Sequence, residues 1–181
     1  PDGSVTPLLA ESWEVSPDLR TYTFKLRKGV KFQNGEPFNA QAVKYSFDRA
    51  GGEKSTNKDK RTFASMERVG VVDEHTVVVI NKELNPDFLF LMGQATAILV
   101  EPKSADTNAT KPVGTGPYQL GAWNKGSSVV LGKWDGYRAA GSIKLKRATF
   151  RFIADPAAQV AALLAGDVDA FPRVTPRSVA Q

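Results

Sequence analysis

The hydrophobic period of this chain changes just before Asn39, and the change restricts the fold to one that combines strands with helices. Apolar and polar residues alternate over 21–32, as they do in a strand with one buried face. The apolar side of this strand carries Tyr22, Phe24 and Leu26. After Asn39, apolar residues recur at helical spacing instead. A strand face and a helix stripe of this kind bury each other, so the sequence predicts an α/β fold.

Local signals set the limits of the first helix at 39–51. Asn39 is a favourable N-cap residue, and Phe38 before it can pack on Val43 as a hydrophobic staple. Two glycines follow at the other end, Gly51 and Gly52, and stop the helix. We therefore expect a helix whose buried stripe continues through Val43, Phe47 and Ala50.

Shorter elements follow this helix. The pattern predicts a short helix over 62–68, a hairpin around 73–76, a helix opened by Pro86 and a short buried strand over 98–100. Residues 103–112 are polar and end in Pro112. We expect a boundary near residue 110 that separates a small sub-lobe, residues 1–110, from part of a larger sub-domain, residues 111–181.

The C-terminal part contains strand patterns at 118–123, 128–134 and 143–153. Asp155 can cap a helix that has Pro156 in its first turn, and Gly166 can end it. A further strand is expected from Val168. Strand, helix and strand in this order predict a βαβ unit with a parallel pair.

Composition excludes several classes of function. The 24 Lys and Arg against 19 Asp and Glu give a net charge of +5, but the basic residues alternate with apolar ones in a strand or cluster in a Gly/Ser/Thr/Asn-rich loop. They form a solvated face, so we expect no nucleic-acid partner. The chain has no cysteine and therefore no disulfide. No apolar run approaches the roughly 20 residues of a membrane-spanning helix.

The residues suited to catalysis are scattered. His75 is the only histidine and lies at the hairpin turn, without a second histidine or a cysteine to complete a metal site. The segment Gly114-Thr115-Gly116-Pro117 lacks the Lys-Ser/Thr of a phosphate-binding loop, and Pro117 has no amide donor. The sequence predicts a turn there, no enzyme activity, no cofactor and no metal. A positive φ at Gly114 or Gly116 would strain a β-carbon there, and we expect alanine at either position to lower the melting temperature.

Two separated groups of motifs carry a family resemblance. The first group contains Leu9-Ala10-Glu11-Ser12-Trp13, Tyr22-Thr23-Phe24-Lys25-Leu26-Arg27 and Asn34-Gly35-Glu36-Pro37-Phe38. The second contains Val113-Gly114-Thr115-Gly116-Pro117-Tyr118 and Phe152-Ile153-Ala154-Asp155-Pro156. In this order they resemble the extracellular solute-binding proteins of family 5, the receptors of peptide and nickel ABC importers. The family often has Asp at the position of Asn34.

The resemblance implies a periplasmic-binding-protein type II-like lobe with a mixed sheet and flanking helices. Family members are usually much longer, so the chain is expected to be an N-terminal lobe fragment without the C-terminal lobe. The function implied is capture of a peptide or of a related small solute such as a nickel chelate, and delivery to ABC permease subunits. The implied location is the periplasm, or a lipid anchor outside a Gram-positive cell. An exposed sheet edge would lead the fragment to self-associate.

The resemblance also supplies the candidate ligand-binding residues. In the family, the connection after the helix opened by Pro86 lies near the cleft, and it corresponds here to Gly93-Gln94-Ala95-Thr96. Gln94 can donate to and accept from a polar ligand, and Thr96 is the second candidate. The alternative is that both side chains only satisfy their own loop.

Two other classes of function stay open at this point. One is a solute-sensing module of a regulator with the same fold, which a DNA-binding or signalling domain beside it would reveal. The other is an enzyme with a site built on loops, which a turnover screen would reveal.

Overall fold

The structure, a computed structural model, describes residues 3–172 of the 181-residue chain. Within them the chain forms two compact units. The first contains the chain as far as Gln119 together with Trp134–Lys144, and the second contains Leu120–Lys133 together with the chain from Leu145. Strands and helices are both present, so the expected α/β class is confirmed. The sub-lobe boundary near residue 110 stays a prediction.

An antiparallel sheet of four strands forms the framework of the first unit. Its strands are β1 (Ala10–Val15), β2 (Thr21–Leu26), β3 (Met66–Asp73) and β4 (Thr76–Asn81), in the spatial order β1-β2-β4-β3. The predicted apolar face of β2 is confirmed, because Tyr22 and Leu26 are buried and Phe24 packs against the buried cluster. The hairpin expected around residue 74 is the β3–β4 connection.

Helix α1 (Ala40–Gly51) packs against this sheet. Its N-cap is Asn39, whose side-chain oxygen accepts the amide hydrogen of Ala42 at 3.1 Å, as the sequence predicts. Phe38 and Val43 are both buried in the same apolar cluster, as expected for a staple. The capped start therefore directs the apolar stripe of α1 into the core.

Helix α2 (Lys60–Ala64) lies directly against α1. It begins two residues before the start predicted from the sequence and ends at Ala64, because residues 66–68 of the predicted helix belong to β3. The rings of Phe47 on α1 and Phe63 on α2 lie 5.5 Å apart between centroids. A β-carbon on Gly51 would lie 2.8 Å from the carbonyl carbon of Phe63, so the absence of a side chain at Gly51 allows this close approach.

Helix α3 (Phe88–Met92) is anchored by one buried aromatic residue. Phe88 is fully buried, and its ring centroid lies 4.5 Å from that of Tyr22. The Tyr22 hydroxyl donates to the carbonyl of Asn85 at 2.6 Å, just before the helix. The strand β2 and the helix α3 are thus joined through one side chain.

The prediction of a buried strand over 98–100 is wrong. These residues pair with no strand, and Ile98 is 66% exposed. The amide of Val100 donates to the Ser46 hydroxyl at 2.9 Å, so a side chain on α1 replaces a strand partner. A 3-10 helix, Pro102–Thr107, occupies the first half of the expected polar linker.

The second unit contains strands β6 (Ser128–Lys133) and β7 (Arg147–Arg151), most of β5 (Tyr118–Asn124), and helix α4 (Pro156–Leu164). The strand order is β5-β6-β7, and β6 and β7 are antiparallel. Asp155 caps α4 by accepting the Ala158 amide hydrogen at 2.7 Å, as predicted. Gly166 has a φ of +75°, as expected for the residue that ends the helix.

The strand expected from Val168 is not formed as far as Pro172. The strand expected over residues 168–171 is thus absent although these residues are described, and the strand pairs whose register is described are all antiparallel. The prediction of a βαβ unit with a parallel pair is therefore wrong for the described part of the chain.

The expectation for Gly114 and Gly116 depended on a positive φ, and the structure shows none there. Neither has a positive φ, and a β-carbon on Gly116 would meet no heavy atom within 4 Å. A β-carbon on Gly114 would lie 4.0 Å from the amide nitrogen of Gly116, an ordinary contact. Alanine at these positions is therefore expected to be tolerated, which reverses the lower melting temperature expected from the sequence.

We predict that Gly51→Ala lowers the free energy of unfolding by about 1–2 kcal/mol, because its β-carbon meets backbone atoms of α2 that cannot rotate away. The better helix propensity of alanine offsets this only in part, since Gly51 is the last residue of α1. Gly116→Ala is the matched control, with a change between zero and about 1 kcal/mol of added stability. Urea unfolding of both variants measures the difference. Equal effects would contradict the close approach of α1 and α2.

Candidate functional site

The connection after α3 contains both predicted ligand-binding residues. Gly93 ends the helix, and the Gln94 amide donates to the carbonyl of Leu91 at 3.1 Å. The carbonyl of Gln94 then accepts the amide hydrogen of Ala97 at 3.0 Å. These two turns leave the Gln94 side chain exposed. Its position suits a residue that hydrogen-bonds a ligand from outside the fold.

Thr96 has a different environment. It is half-buried, and its hydroxyl donates to a carboxylate oxygen of Asp59. Its carbonyl accepts from the side-chain amide of Asn57 at 2.8 Å. The structure therefore brings Thr96 together with Asn57 and Asp59, and the hydroxyl hydrogen of Thr96 is already donated within the protein. The Thr96 hydroxyl oxygen can then only accept a hydrogen bond from a donor on a ligand.

Asn57 and Asp59 lie in the Gly/Ser/Thr/Asn-rich loop, and sequence reasoning missed their contact with Thr96. The loop is organised by short side chains at every second position: the Asn57 amide donates to Ser55, and the Asp59 amide donates to Asn57 at 2.8 Å. This Ser-x-Asn-x-Asp spacing is a signal for an ordered turn. Its partner cannot be read from the spacing, because Thr96 is 37 residues from Asp59.

The chain beyond Thr96 is held at a second point by α1. The buried Ser46 hydroxyl donates to the carbonyl of Ala42 at 2.7 Å and accepts the amide hydrogen of Val100 at 2.9 Å. Ala97 and Leu99 pack against the apolar cluster. The irregular segment 97–100 is thus fixed by a polar contact at Val100 and by apolar packing at Ala97 and Leu99.

Glu101 holds the backbone that follows Val100, and it is only 2% exposed. One oxygen of its carboxylate accepts the Lys103 amide hydrogen at 2.8 Å, and the other accepts from the side-chain amide of Asn34 at 2.9 Å. Burial by itself raises the pKa of Glu101, but hydrogen bonds from Lys103, Ser104 and Asn34 outweigh it and lower the pKa below its ordinary value of 4.5. The carboxylate is therefore ionised inside the protein and stabilised by donors rather than by a buried cation.

The glycine-rich segment 114–118 is held by Gln33. Its side-chain amide donates to the carbonyl of Tyr118 at 2.7 Å and to that of Gly116 at 3.3 Å. The Gly114 amide donates to the side-chain oxygen of Gln33, and the Gln33 amide donates to the carbonyl of Gly114 at 2.9 Å. The amide of Gly114 is therefore engaged within the protein and is not free to bind a phosphate.

His75 lies in the β3–β4 turn, as predicted. Its backbone amide donates to Asp73 at 2.8 Å, and its carbonyl accepts the amide hydrogen of Leu26 at 2.8 Å. Among residues 3–172 no group of three His, Asp or Glu side chains is placed to hold a metal ion. The structure thus shows a backbone role for His75 in the hairpin.

The Glu101 contacts predict a defined pH dependence. Because the pKa of Glu101 is lower in the folded than in the unfolded protein, its stabilisation is complete above about pH 4.5 and is lost as the pH falls through the folded pKa. We expect Glu101→Gln to lower the free energy of unfolding at pH 7 by about 1–3 kcal/mol. The difference from the parent should shrink as the pH is lowered below about 4.5.

Urea unfolding from about pH 2 to about pH 7, a range that brackets the ordinary glutamate pKa, measures this difference. Glu83→Gln removes an exposed carboxylate and is the matched control. A stability difference at Glu101 that stays constant over the whole range would contradict an ionised, hydrogen-bonded carboxylate.

Comparison with known proteins identifies a family and relatives of this chain. The sequence matches the family of bacterial extracellular solute-binding proteins, family 5 Middle, over residues 4–181. The glutathione-binding protein GsiB of Salmonella choleraesuis is 36% identical over 176 residues, which cover 94% of this chain and 34% of that protein. The chain thus spans about a third of the length of the curated relatives it matches.

Two solved structures show the same fold. AgaA from A. tumefaciens, in complex with agropinic acid, superimposes with a TM-score of 0.85 at 30% identity and covers 92% of this chain and 35% of its own. Haemophilus influenzae OppA, in complex with the peptide RPPGFSPFR, gives a TM-score of 0.86 at 25% identity over 97% of this chain and 39% of its own. The matched family consists of solute-binding proteins and not of enzymes. By the match over nearly its whole length, this chain belongs to family 5 of the bacterial extracellular solute-binding proteins.

Proposed function

We propose that the protein containing this chain is the solute-binding component of an ABC importer. It captures a peptide or a related small solute in a cleft between lobes and delivers it to membrane permease subunits. The observation that carries this proposal is the 36% identity with a glutathione-binding protein over 94% of the chain. Closure of two lobes around a solute is a hinge motion and requires no catalytic residue.

The relatives indicate the class of solute. GsiB is named for glutathione, OppA was solved with a peptide and AgaA with agropinic acid. Glutathione is itself a tripeptide, and the identity with GsiB is higher than with the other two. Glutathione and short peptides are therefore the first ligands to test. A nickel chelate, which the family resemblance also implies, is a further probe of the class.

Gln94 supplies the contact that a peptide requires. A peptide unit presents one N–H donor and one carbonyl acceptor, and a glutamine side chain complements both. Gln94 is exposed while its backbone is fixed by two turns, so its side chain can reach a ligand from a defined position. A preformed position of this kind reduces the entropy that ligand binding costs.

The proposed location is the periplasm, or the outer surface of a Gram-positive cell through a lipid anchor. It rests on the extracellular family to which the chain belongs. In the described part of the chain, no helix combines the length and the apolar character needed to cross a bilayer.

Calorimetry on the full-length gene product tests the proposal. We expect glutathione or a mixture of di- to pentapeptides to bind with a dissociation constant of about 1 μM or below, equivalent to about 8 kcal/mol. A regulator with the same fold would also bind a solute, but deletion of the neighbouring permease genes would then leave uptake of the labelled solute intact. Absence of binding to all the probes would contradict the proposed function.

Gln94→Ala should weaken binding about fivefold to tenfold, because it removes one or two hydrogen bonds to a neutral group of the ligand. Gln41→Ala is the matched control, because Gln41 is also an exposed glutamine and lies in the first turn of α1. Titrations of both variants with the ligand that the parent binds measure the ratio. If Gln94→Ala binds as tightly as the control, Gln94 is not a ligand-binding residue.

A further inference from the structure

The contact between Asp59 and Thr96 joins the candidate ligand-binding connection to a loop far away in sequence. Thr96 donates its hydroxyl hydrogen to the Asp59 carboxylate and accepts at its carbonyl from Asn57. Both partners lie on one loop, so Thr96 is held through its side chain and through its backbone. A residue held at two points has little freedom to move relative to that loop.

The loop is itself a rigid support. The Asp59 amide donates to the side chain of Asn57, and the carbonyl of Asp59 accepts the amide hydrogen of Thr62 at 2.9 Å in the first turn of α2. Helix α2 is fixed in turn by the packing of Phe63 on Phe47. The position of the Asp59 carboxylate is therefore determined by the packed pair of helices α1 and α2.

The connection after α3 has fewer supports of its own. Within Gly93–Thr96, the Gln94 amide bonds back to α3 and the Gln94 carbonyl bonds to Ala97. The Gln94 side chain is exposed and is not packed in the apolar cluster. Its location therefore depends on where the backbone on each side is held, which is α3 before it, and Thr96 together with the packed Ala97 after it.

Resting on the proposed function, we propose that Asp59 is a positioning residue for ligand binding. Through its hydrogen bond with Thr96, it fixes the connection from which Gln94 contacts a peptide-like solute. Asp59 does not itself contact the solute. Thr96 is an anchor of the connection rather than a direct ligand contact, since its hydroxyl hydrogen is committed to Asp59.

The first measurement follows the connection without any ligand. Ala95 is exposed, and this chain contains no cysteine, so Ala95→Cys allows a single nitroxide label, any cysteine elsewhere in the gene product being replaced by serine. We expect the electron paramagnetic resonance spectrum to show a more mobile label in Asp59→Ala than in the parent. Asp59→Asn keeps an oxygen that can accept from Thr96 and should restore the parent spectrum.

The second measurement is the affinity of the unlabelled full-length protein for glutathione and a di- to pentapeptide mixture. Asp59→Ala should weaken binding about tenfold, and Asp59→Asn should bind within about twofold of the parent. Thr96→Val removes the same hydrogen bond and should match Asp59→Ala. The double variant should bind no more weakly than either single variant, because both remove one interaction.

Asp106→Ala is the control for loss of one negative charge at an exposed aspartate. A weakening in Asp106→Ala equal to that in Asp59→Ala would show a general charge effect and overturn the proposal. The proposal would also be overturned if the label at Ala95→Cys were no more mobile in Asp59→Ala than in the parent. It would likewise be overturned if Asp59→Ala bound the ligand with the affinity of the parent. Weak binding by Thr96→Val together with normal binding by Asp59→Ala would make Thr96 a direct contact instead.

Failure of the proposed function gives a different result. A parent protein that binds none of the probes contradicts the proposed function and the claim about affinity together. The label mobility in Asp59→Ala, which needs no ligand, then decides whether Asp59 anchors the connection. Normal parent binding with no effect of Asp59→Ala contradicts only the positioning role.

Discussion

The first unit depends on how its irregular backbone between Thr96 and Tyr118 satisfies its polar groups. Buried amides and carbonyls that lack a strand or helix partner destabilise a fold unless other groups bond them. Here the partners are side chains from elsewhere in the unit: Ser46 bonds Val100, and Gln33 bonds Gly114 and Tyr118. Polar side chains therefore satisfy the backbone hydrogen-bonding groups of this stretch, as strand pairing does in the sheet. They also set the position of the candidate binding connection.

Elements whose causes are local in sequence could be predicted, and those whose causes are distant could not. The strand with Tyr22 and Leu26 inward and the caps at Asn39 and Asp155 follow from period and capping chemistry within a few residues. The prediction of a strand from the apolar run at 98–100 is wrong, because its partner is the Ser46 side chain rather than a neighbouring strand. Glu101 gave no sign of its burial, since its partner Asn34 lies 67 residues away.

The candidate site shows the same division. Gln94 and Thr96 came from the family resemblance, and the structure places them on one short connection in different environments, exposed and hydrogen-bonded. Asn57 and Asp59 could not be found, because their spacing indicates an ordered turn but not what the turn holds. The family often has Asp where this chain has Asn34, and the amide of Asn34 here donates to a buried carboxylate. An aspartate at that position would place a second carboxylate beside Glu101, so this contact requires the side-chain amide of Asn34.

Amide hydrogen exchange resolved at single residues tests most directly whether side chains hold this irregular backbone. The amides of Val100, Lys103 and Gly114 donate to the side chains of Ser46, Glu101 and Gln33 respectively. We predict that all three exchange much more slowly than the amide of the exposed Thr56, and that Gln33→Ala accelerates exchange at Gly114 while leaving Val100 protected. Exchange of the three amides at the rate of Thr56 would contradict the dependence of this stretch on polar side chains.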